Sequence, residues 1–146
     1  EIVLRIIDLH SFSNNNINFN FLCDNEKILI AADAEQLNRV FINLIKNSIE
    51  SIMEKSMKNG EFAYKIDIEI KEKNNYIYCT IDDNGIGFSN DNLNKIVKPY
   101  FTTKAKGTGL GLAIVNKIIN DHDGKINFKP KQEGARVEII LPKNVS

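Results

Sequence analysis

The sequence predicts an α+β fold, a two-layer α/β sandwich in which helices cover one face of a mixed sheet. Two apolar stripes recur at helical spacing, whereas other apolar residues alternate with polar ones over short runs, as in half-buried strands. Short turns separate most of these runs, which indicates hairpins. With 146 residues, of which 42% are hydrophobic, the chain can form one core, so we predict a single domain over residues 1–146.

The N-terminal region is predicted to lead into the domain. Residues 1–16 read as the end of a connecting helix and a linker, because apolar Ile2–Leu9 is followed by polar Ser11–Asn16. Ile17–Phe21 alternates as a half-buried strand does, and Lys27–Ala31 is a plausible hairpin partner for it.

The strongest helix follows, with Asp33 as its expected N-cap and Asn59-Gly60 at its end. One flank beside its buried stripe gathers polar residues, among them Asn43, Asn47 and Glu50. The stripe itself has i, i+3, i+4 spacing and consists of Leu37, Val40, Phe41, Leu44, Ile45, Ile49, Ile52 and Met53.

The second half of the chain predicts two hairpins and one more helix. Ile66–Ile70 and Ile77–Ile81 alternate around Asn74-Asn75, which is a turn signal. A second helix is expected over Leu110–Asp121, and apolar alternation within residues 126–141 predicts the closing hairpin.

Composition excludes several classes of partner. The formal net charge is zero, so nothing favours a nucleic acid or an anionic membrane, both of which need a basic excess. No run approaches the roughly 18 apolar residues of a membrane span, and we expect a cytoplasmic domain whose parent protein could be anchored in a membrane. Cys23 and Cys79 lie in strand-like runs without CxxC spacing, which predicts buried, reduced thiols.

Asn43 and Asn47 lie one helical turn apart, so both side chains can meet one ligand. Amide oxygens suit a hard cation such as Mg²⁺, which keeps several waters and takes few protein ligands. A solvated polar flank of the helix is the alternative interpretation of the same pair.

Two glycine-containing segments could bind a nucleotide. Asp82–Phe88 follows a strand, and its glycines allow a close backbone approach, although an ordinary Asn-Gly turn would look the same. Gly107–Leu112 opens a helix and bares N–H groups toward an anion, although a hinge or a helix-packing role remains open. Two hydroxyls and two cations precede this second segment, at Thr102, Thr103, Lys104 and Lys106.

The order of these motifs is similar to one known family. QLNRVFINLIKNSIES, DDNGIGF, KPYFTTKAKGTGLGLAIV and a closing hairpin that ends in Leu-Pro resemble the histidine-kinase catalytic domain of the gyrase/Hsp90/histidine-kinase/MutL ATPase superfamily. The resemblance covers about Ile17 to Pro142, and the wording is most like that of the nitrogen-regulation class of sensor kinases. It implies a Bergerat-type fold that binds ATP and Mg²⁺ beneath a mobile lid.

The resemblance also implies roles for individual residues. Asn47 would bind Mg²⁺, Asn43 would lie beside it at the phosphates, and Lys104 would complete the catalytic set. Asp83 would bind the adenine amine, with Gly85, Ile86 and Gly87 shaping the adenine pocket. An aromatic patch would follow at Tyr100 and Phe101. The lid would include Thr102, Thr103, Lys104 and Lys106. The phosphate cradle would consist of Gly107, Thr108, Gly109, Leu110, Gly111 and Leu112.

Partners follow from the same resemblance. The γ-phosphate would pass to a histidine on a separate helical domain and then to a response regulator, in two-component signalling. His10 is followed by Ser11, without the acidic neighbour of an acceptor histidine, so the acceptor is expected outside this chain. The isolated domain is expected to be a monomer and its parent a homodimer.

Two positions depart from the family's sequence pattern, and three alternative functions remain open. Glu50 stands where many relatives carry a lysine, which leaves the phosphates to Lys104 or Lys106, and Asp123-Gly124 replaces the usual Gly-Gly. The alternatives are an ATP hydrolase of gyrase or MutL type, a serine kinase of anti-sigma type and a module that only senses nucleotide. The hydrolases place a glutamate where this chain has Asn43, and an amide is a poor base.

Overall fold

The computed structural model describes residues 17–23, 34–87 and 111–143. In chain order its elements are β1 (Asn18–Cys23), α1 (Ala34–Asn59), β2 (Lys65–Lys73), β3 (Tyr76–Asp83), α2 (Gly111–Asp121), β4 (Lys125–Pro130) and β5 (Ala135–Pro142).

The five described strands form one mixed sheet in the order β1-β2-β3-β5-β4. β1 runs parallel to β2, with α1 in the connection between them, and the other neighbouring strands pair antiparallel. Both hairpins predicted for the second half of the chain are confirmed. Asn74 and Asn75 form the two-residue turn between β2 and β3 with positive φ at both positions, which asparagine tolerates better than most residues.

The core lies between the inner face of the sheet and the two helices, which confirms the predicted α+β sandwich. The predicted stripe of α1 is buried, except that Met53 is half-buried, and α2 adds Val115, Ile118 and Ile119. α1 contacts both α2 and β3. The sheet contributes alternate residues, which are Ile66, Ile68, Ile77, Cys79, Ile81, Ala135, Val137, Ile139 and Leu141.

Both helices end where the sequence predicts. α1 ends at Asn59, and Gly60 follows with φ +84° while its N–H donates to the Ser56 carbonyl oxygen at 2.9 Å. After α2, the Gly124 N–H reaches the Ile119 oxygen at 2.9 Å, and Asp123 takes the left-handed position with φ 59°. Asp123 therefore occupies the position where glycine is usual in this type of helix end.

The cysteine prediction is met in full only by Cys79. Neither cysteine is part of a disulfide, but Cys79 is buried whereas Cys23 is only partly covered. Burial raises the pKa of the Cys79 thiol to about 12, so it stays protonated at neutral pH.

Neither described helix has the length and apolar character to cross a bilayer. Three predicted features lie outside the described residues: the helix end and linker over residues 1–16, the partner strand Lys27–Ala31 and the N-cap Asp33.

The turn between β4 and β5 packs against the segment that follows β3. A Cβ atom on Gly134 would lie 1.9 Å from the Asp83 carbonyl oxygen, and one on Gly87 would lie 2.7 Å from the Gly134 oxygen. The two backbones therefore touch, which only glycine permits at these positions.

We predict that Gly134→Ala lowers the free energy of unfolding by more than Gly60→Ala does. Both glycines have positive φ, which costs an alanine roughly 1–2 kcal/mol, but only Gly134 also meets backbone atoms within 3 Å. Urea unfolding of the two variants measures the difference. Equal losses would show that the contact between the turn and Asp83 does not constrain the fold.

Candidate functional site

Strand alternation decides which of two adjacent aspartates enters the core side of the sheet. Ile77, Cys79 and Ile81 face inward from β3, and Asp83 continues that row with 6% of its surface exposed. Asp82 faces the opposite side, where its two carboxylate oxygens accept bonds of 2.7 Å from Arg136 Nε and Nη2. The two neighbouring carboxylates therefore have different surroundings.

The Asp83 carboxylate is buried against α1 and has few partners. Its Oδ1 accepts the Gly85 N–H at 2.9 Å, and the buried Ser48 side chain is hydrogen-bonded to it as well. Burial outweighs these bonds and raises the pKa of Asp83 from 3.8 to about 6. A buried carboxylate with so few donors can accept a further one, such as an amine of a bound ligand.

The loop after Asp83 lies directly on the backbone of α1. A Cβ atom on Gly85 would fall 2.4 Å from Ser51 Oγ, 2.6 Å from the Ser51 carbonyl carbon and 2.7 Å from the Ile52 nitrogen. Glycine is therefore required at this position by close approach. Gly87, with φ +78°, meets Gly134 on the other side, so α1 and the β4–β5 turn enclose the loop.

Side chains of α1 and backbone groups at the start of β2 hold the same loop. The Ile86 N–H donates to Ser51 Oγ at 3.0 Å, and Lys55 Nζ donates to the Asn84 carbonyl oxygen at 3.2 Å. The Asn84 side chain accepts the Lys65 N–H at 2.9 Å and donates to the Ala63 oxygen at 2.6 Å. Ile86 itself keeps 41% of its surface exposed, as a residue on the wall of an open pocket would.

Asn43 marks the other end of the site. Its Nδ2 donates to the Arg39 carbonyl oxygen at 2.9 Å, which leaves Oδ1 as the outward atom. A Cβ atom on Gly111 would lie 3.5 Å from that Oδ1, so Asn43 lies at the N-terminus of α2. Helix N-termini attract anions, and this one begins at the last two residues of the predicted phosphate cradle, Gly111 and Leu112.

The site therefore extends along α1. Asn43 lies at one end, and Ser48 and Ser51 lie five and eight residues further on, beside Asp83 and its loop. At the rise of an α-helix, these separations correspond to roughly 7–12 Å. A carboxylate pocket and an anion-binding helix end at this separation suit a ligand with a polar base at one end and phosphates at the other.

Eight of the predicted site residues lie within the described part of the chain, at positions 43, 47, 83, 85, 86, 87, 111 and 112. The structure also adds four residues that the sequence analysis missed. Ser48, Ser51 and Lys55 follow the asparagine pair at i, i+3 and i+7 spacing, which is the one signal that could have revealed them. Nothing in the sequence distinguishes Gly134 from an ordinary glycine in a hairpin turn. Ten predicted residues lie outside the described part of the chain: Tyr100, Phe101, Thr102, Thr103, Lys104, Lys106, Gly107, Thr108, Gly109 and Leu110.

Metal binding at the site would depend on amide oxygens. Within the described residues, no cluster of three or more histidine, cysteine or carboxylate side chains could hold an ion. Asn47, half-buried one turn after Asn43, offers the kind of hard oxygen that Mg²⁺ accepts. With phosphates and waters as the remaining ligands, this donor set fits Mg²⁺ and does not fit a structural transition metal.

Comparison with known sequences finds one matching family model and several sensor kinases that are similar to this chain. The family model described as "Histidine kinase-, DNA gyrase B-, and HSP90-like ATPase" matches residues 32–145. An NtrY-like sensor histidine kinase of Rickettsia conorii is 35% identical over 94% of this chain, and sensor histidine kinase ZraS of Escherichia coli O157:H7 is 31% identical over all of it. The chain spans 22% of the length of the first relative and 33% of the second.

Solved structures agree with this assignment. The catalytic domain of histidine kinase ThkA, nucleotide-free, superposes with a TM-score of 0.83 at 32% identity, covering 97% of this chain and 90% of that one. ThkA in complex with response regulator protein TrrA gives 0.78 at 30% identity, covering 98% of this chain and 40% of that one. The chain thus belongs to the histidine kinase-, DNA gyrase B- and HSP90-like ATPase family, as a catalytic ATP-binding domain of the sensor histidine kinase type.

Proposed function

We propose that this domain binds ATP with Mg²⁺ and donates the γ-phosphoryl group to a histidine on a separate helical domain of its parent protein. The observation that carries the proposal is the arrangement along α1, with the buried Asp83 carboxylate at one end and Asn43 beside the N-terminus of α2 at the other. The likeness to sensor histidine kinases supports the direction of transfer, because their names describe kinases of this type.

At the base end, Asp83 would accept a hydrogen bond from the adenine amine. Burial raises the pKa of this carboxyl group, its two hydrogen bonds offset that only in part, and a ligand amine would supply a further donor. Gly85 keeps the loop against α1 and Gly87 keeps it against the β4–β5 turn, so a planar ring would bind beside the exposed Ile86 side chain. Recognition of the base would therefore depend on a rigid backbone as much as on a side chain.

At the phosphate end, the chain would position charge and would not act as a base. Asn47 would hold Mg²⁺, which would neutralise phosphate charge, and the N–H groups at the start of α2 would face the phosphate oxygens. Lys104 remains our proposed lid cation, since Glu50 cannot contact a phosphate favourably. The Asn43 amide can orient a group near the γ-phosphate but cannot remove a proton. Positioning and electrostatics supply most of what phosphoryl transfer needs.

Further partners follow from the same proposal. The parent protein would be a homodimer that becomes phosphorylated on its histidine, and a response regulator would receive the group from it. The complex of the similar kinase ThkA with response regulator protein TrrA supports a response regulator as partner. The domain by itself would be a monomer.

We predict that Asp83→Asn changes stability and ATP binding in opposite directions. An amide carries no charge to bury, so at pH 7.5 the nucleotide-free variant should gain free energy of unfolding, by at most on the order of 3 kcal/mol for a pKa raised to about 6. ATP should bind more weakly by about 1–3 kcal/mol, because an amide can turn a donor toward the adenine amine.

Calorimetric titration and urea unfolding measure the two effects of Asp83→Asn. Asp82→Asn is the matched control, because Asp82 pairs with Arg136 on the opposite face and should leave ATP affinity unchanged. Wild-type ATP affinity in the Asp83 variant would remove Asp83 from the site.

We predict that ATP affinity falls as the pH drops below about 6. The pKa of Asp83 is raised on folding, so protonation stabilises the nucleotide-free domain at low pH, and that contribution is lost as the pH rises through 6. Binding of an amine requires the ionised carboxylate, so affinity should decrease about tenfold per pH unit well below the pKa. Titrations at saturating Mg²⁺ from pH 5 to 8 measure this, with Asp83→Asn reporting any titration of the phosphates. Identical pH profiles for the two proteins would contradict the assignment.

We predict very slow ATP hydrolysis by the domain alone and phosphorylation only when the histidine-bearing helical domain of the parent is added. General-base assistance is worth roughly 10²–10⁴-fold, and Asn43 cannot provide it. The paired measurement is phosphate release by the domain against radiolabel transfer to the added domain. Steady turnover without an acceptor, abolished by Asn43→Ala, would favour an ATP hydrolase of the gyrase or MutL type instead.

A further inference from the structure

Ser51, which no sequence motif singled out, contacts the loop that follows Asp83 at two successive residues. Its Oγ accepts the Ile86 N–H at 3.0 Å, and its carbonyl oxygen lies 3.2 Å from the same nitrogen. The Gly85 backbone rests on the same residue, because a Cβ atom there would fall 2.4 Å from Ser51 Oγ. One residue of α1 thus makes a hydrogen bond and a steric contact with two consecutive loop residues.

The position of this loop also determines the position of the Asp83 carboxylate. Asp83 Oδ1 accepts the Gly85 N–H at 2.9 Å, so a displacement of Gly85 would rotate or release the carboxylate. Ser48 holds the carboxylate from α1, and Lys55 binds the Asn84 carbonyl oxygen at 3.2 Å, one turn beyond Ser51. Residues on one face of α1 therefore hold both the loop and the carboxylate in position.

We propose that Ser51 is a positioning residue for base selectivity, which holds the Gly85–Ile86 backbone against α1 and thereby aligns the Asp83 carboxylate with the exocyclic amine of adenine. The inference rests on the proposed function, because it needs a purine at the site. Ser51 itself touches the loop and acts on the base only through Asp83. Its removal should therefore impair the distinction between bases more than the binding of phosphates.

The test compares ATP with inosine triphosphate, which carries a carbonyl oxygen where ATP has the amine. Wild type should prefer ATP, because that oxygen would face a carboxylate. In Ser51→Ala the ratio of the two affinities should fall about fivefold, which corresponds to about 1 kcal/mol, mainly through weaker ATP binding. Alanine favours helix, so α1 should remain folded in the variant.

Ser56→Ala is the matched control. Ser56 lies on the same helix, five residues on, and its hydroxyl bonds the Tyr64 hydroxyl at 2.7 Å, outside the loop. Its loss should leave the affinity ratio at the wild-type value. An equal fall of the ratio in Ser56→Ala would contradict a local role for Ser51.

A double-mutant cycle separates positioning from general stability. In an Asp83→Asn background, Ser51→Ala should cause no further change of the ratio, because the group that Ser51 aligns is already lost. A wild-type ratio in Ser51→Ala, or a full fivefold fall in the Asp83→Asn background, would overturn the inference while leaving ATP binding intact. A wild-type domain that binds neither nucleotide would instead overturn the proposed function.

Discussion

The backbone contact between α1 and the loop after β3 is the constraint on which the rest of the site depends. Gly85 lies so close to Ser51 and Ile52 that no side chain fits between them, and Gly134 closes on Asp83 from the opposite side. Interiors are packed closely enough that such contacts define positions to a fraction of an ångström. The loop is therefore held between α1 and the β4–β5 turn, and the groups on the loop are held in place with it.

Asp83 shows how this constraint serves function. Its burial disfavours ionisation and raises its pKa, so the nucleotide-free domain carries a carboxylate that is less stable than it would be in water. Active sites commonly hold such groups, because a ligand that supplies the missing donor then gains binding free energy. Asp82, one residue away, lies on the opposite face of the sheet and forms a bidentate ion pair with Arg136.

Helix α1 performs two tasks with two faces. Its apolar stripe, which includes Val40, Leu44 and Ile52, forms the centre of the core against the sheet. The adjacent face carries Asn43, then Ser48 and Ser51, and contacts first the start of α2 and then the loop after β3. Because the core holds the helix in place, the separation between the two ends of the site follows from the helical rise.

The sequence by itself determined the periodic features of this protein and the order of its motifs. Apolar spacing was sufficient to predict α1, α2 and both hairpins, since periodicity is a local property, and the asparagine and glycine motifs together identified the family. Only the tertiary structure decided that Ser51 receives the Ile86 N–H and that Gly134 packs on Asp83. These contacts join residues that are 35 to 51 positions apart, and no local pattern encodes them, because they arise only when the helix and the turn close on the same loop.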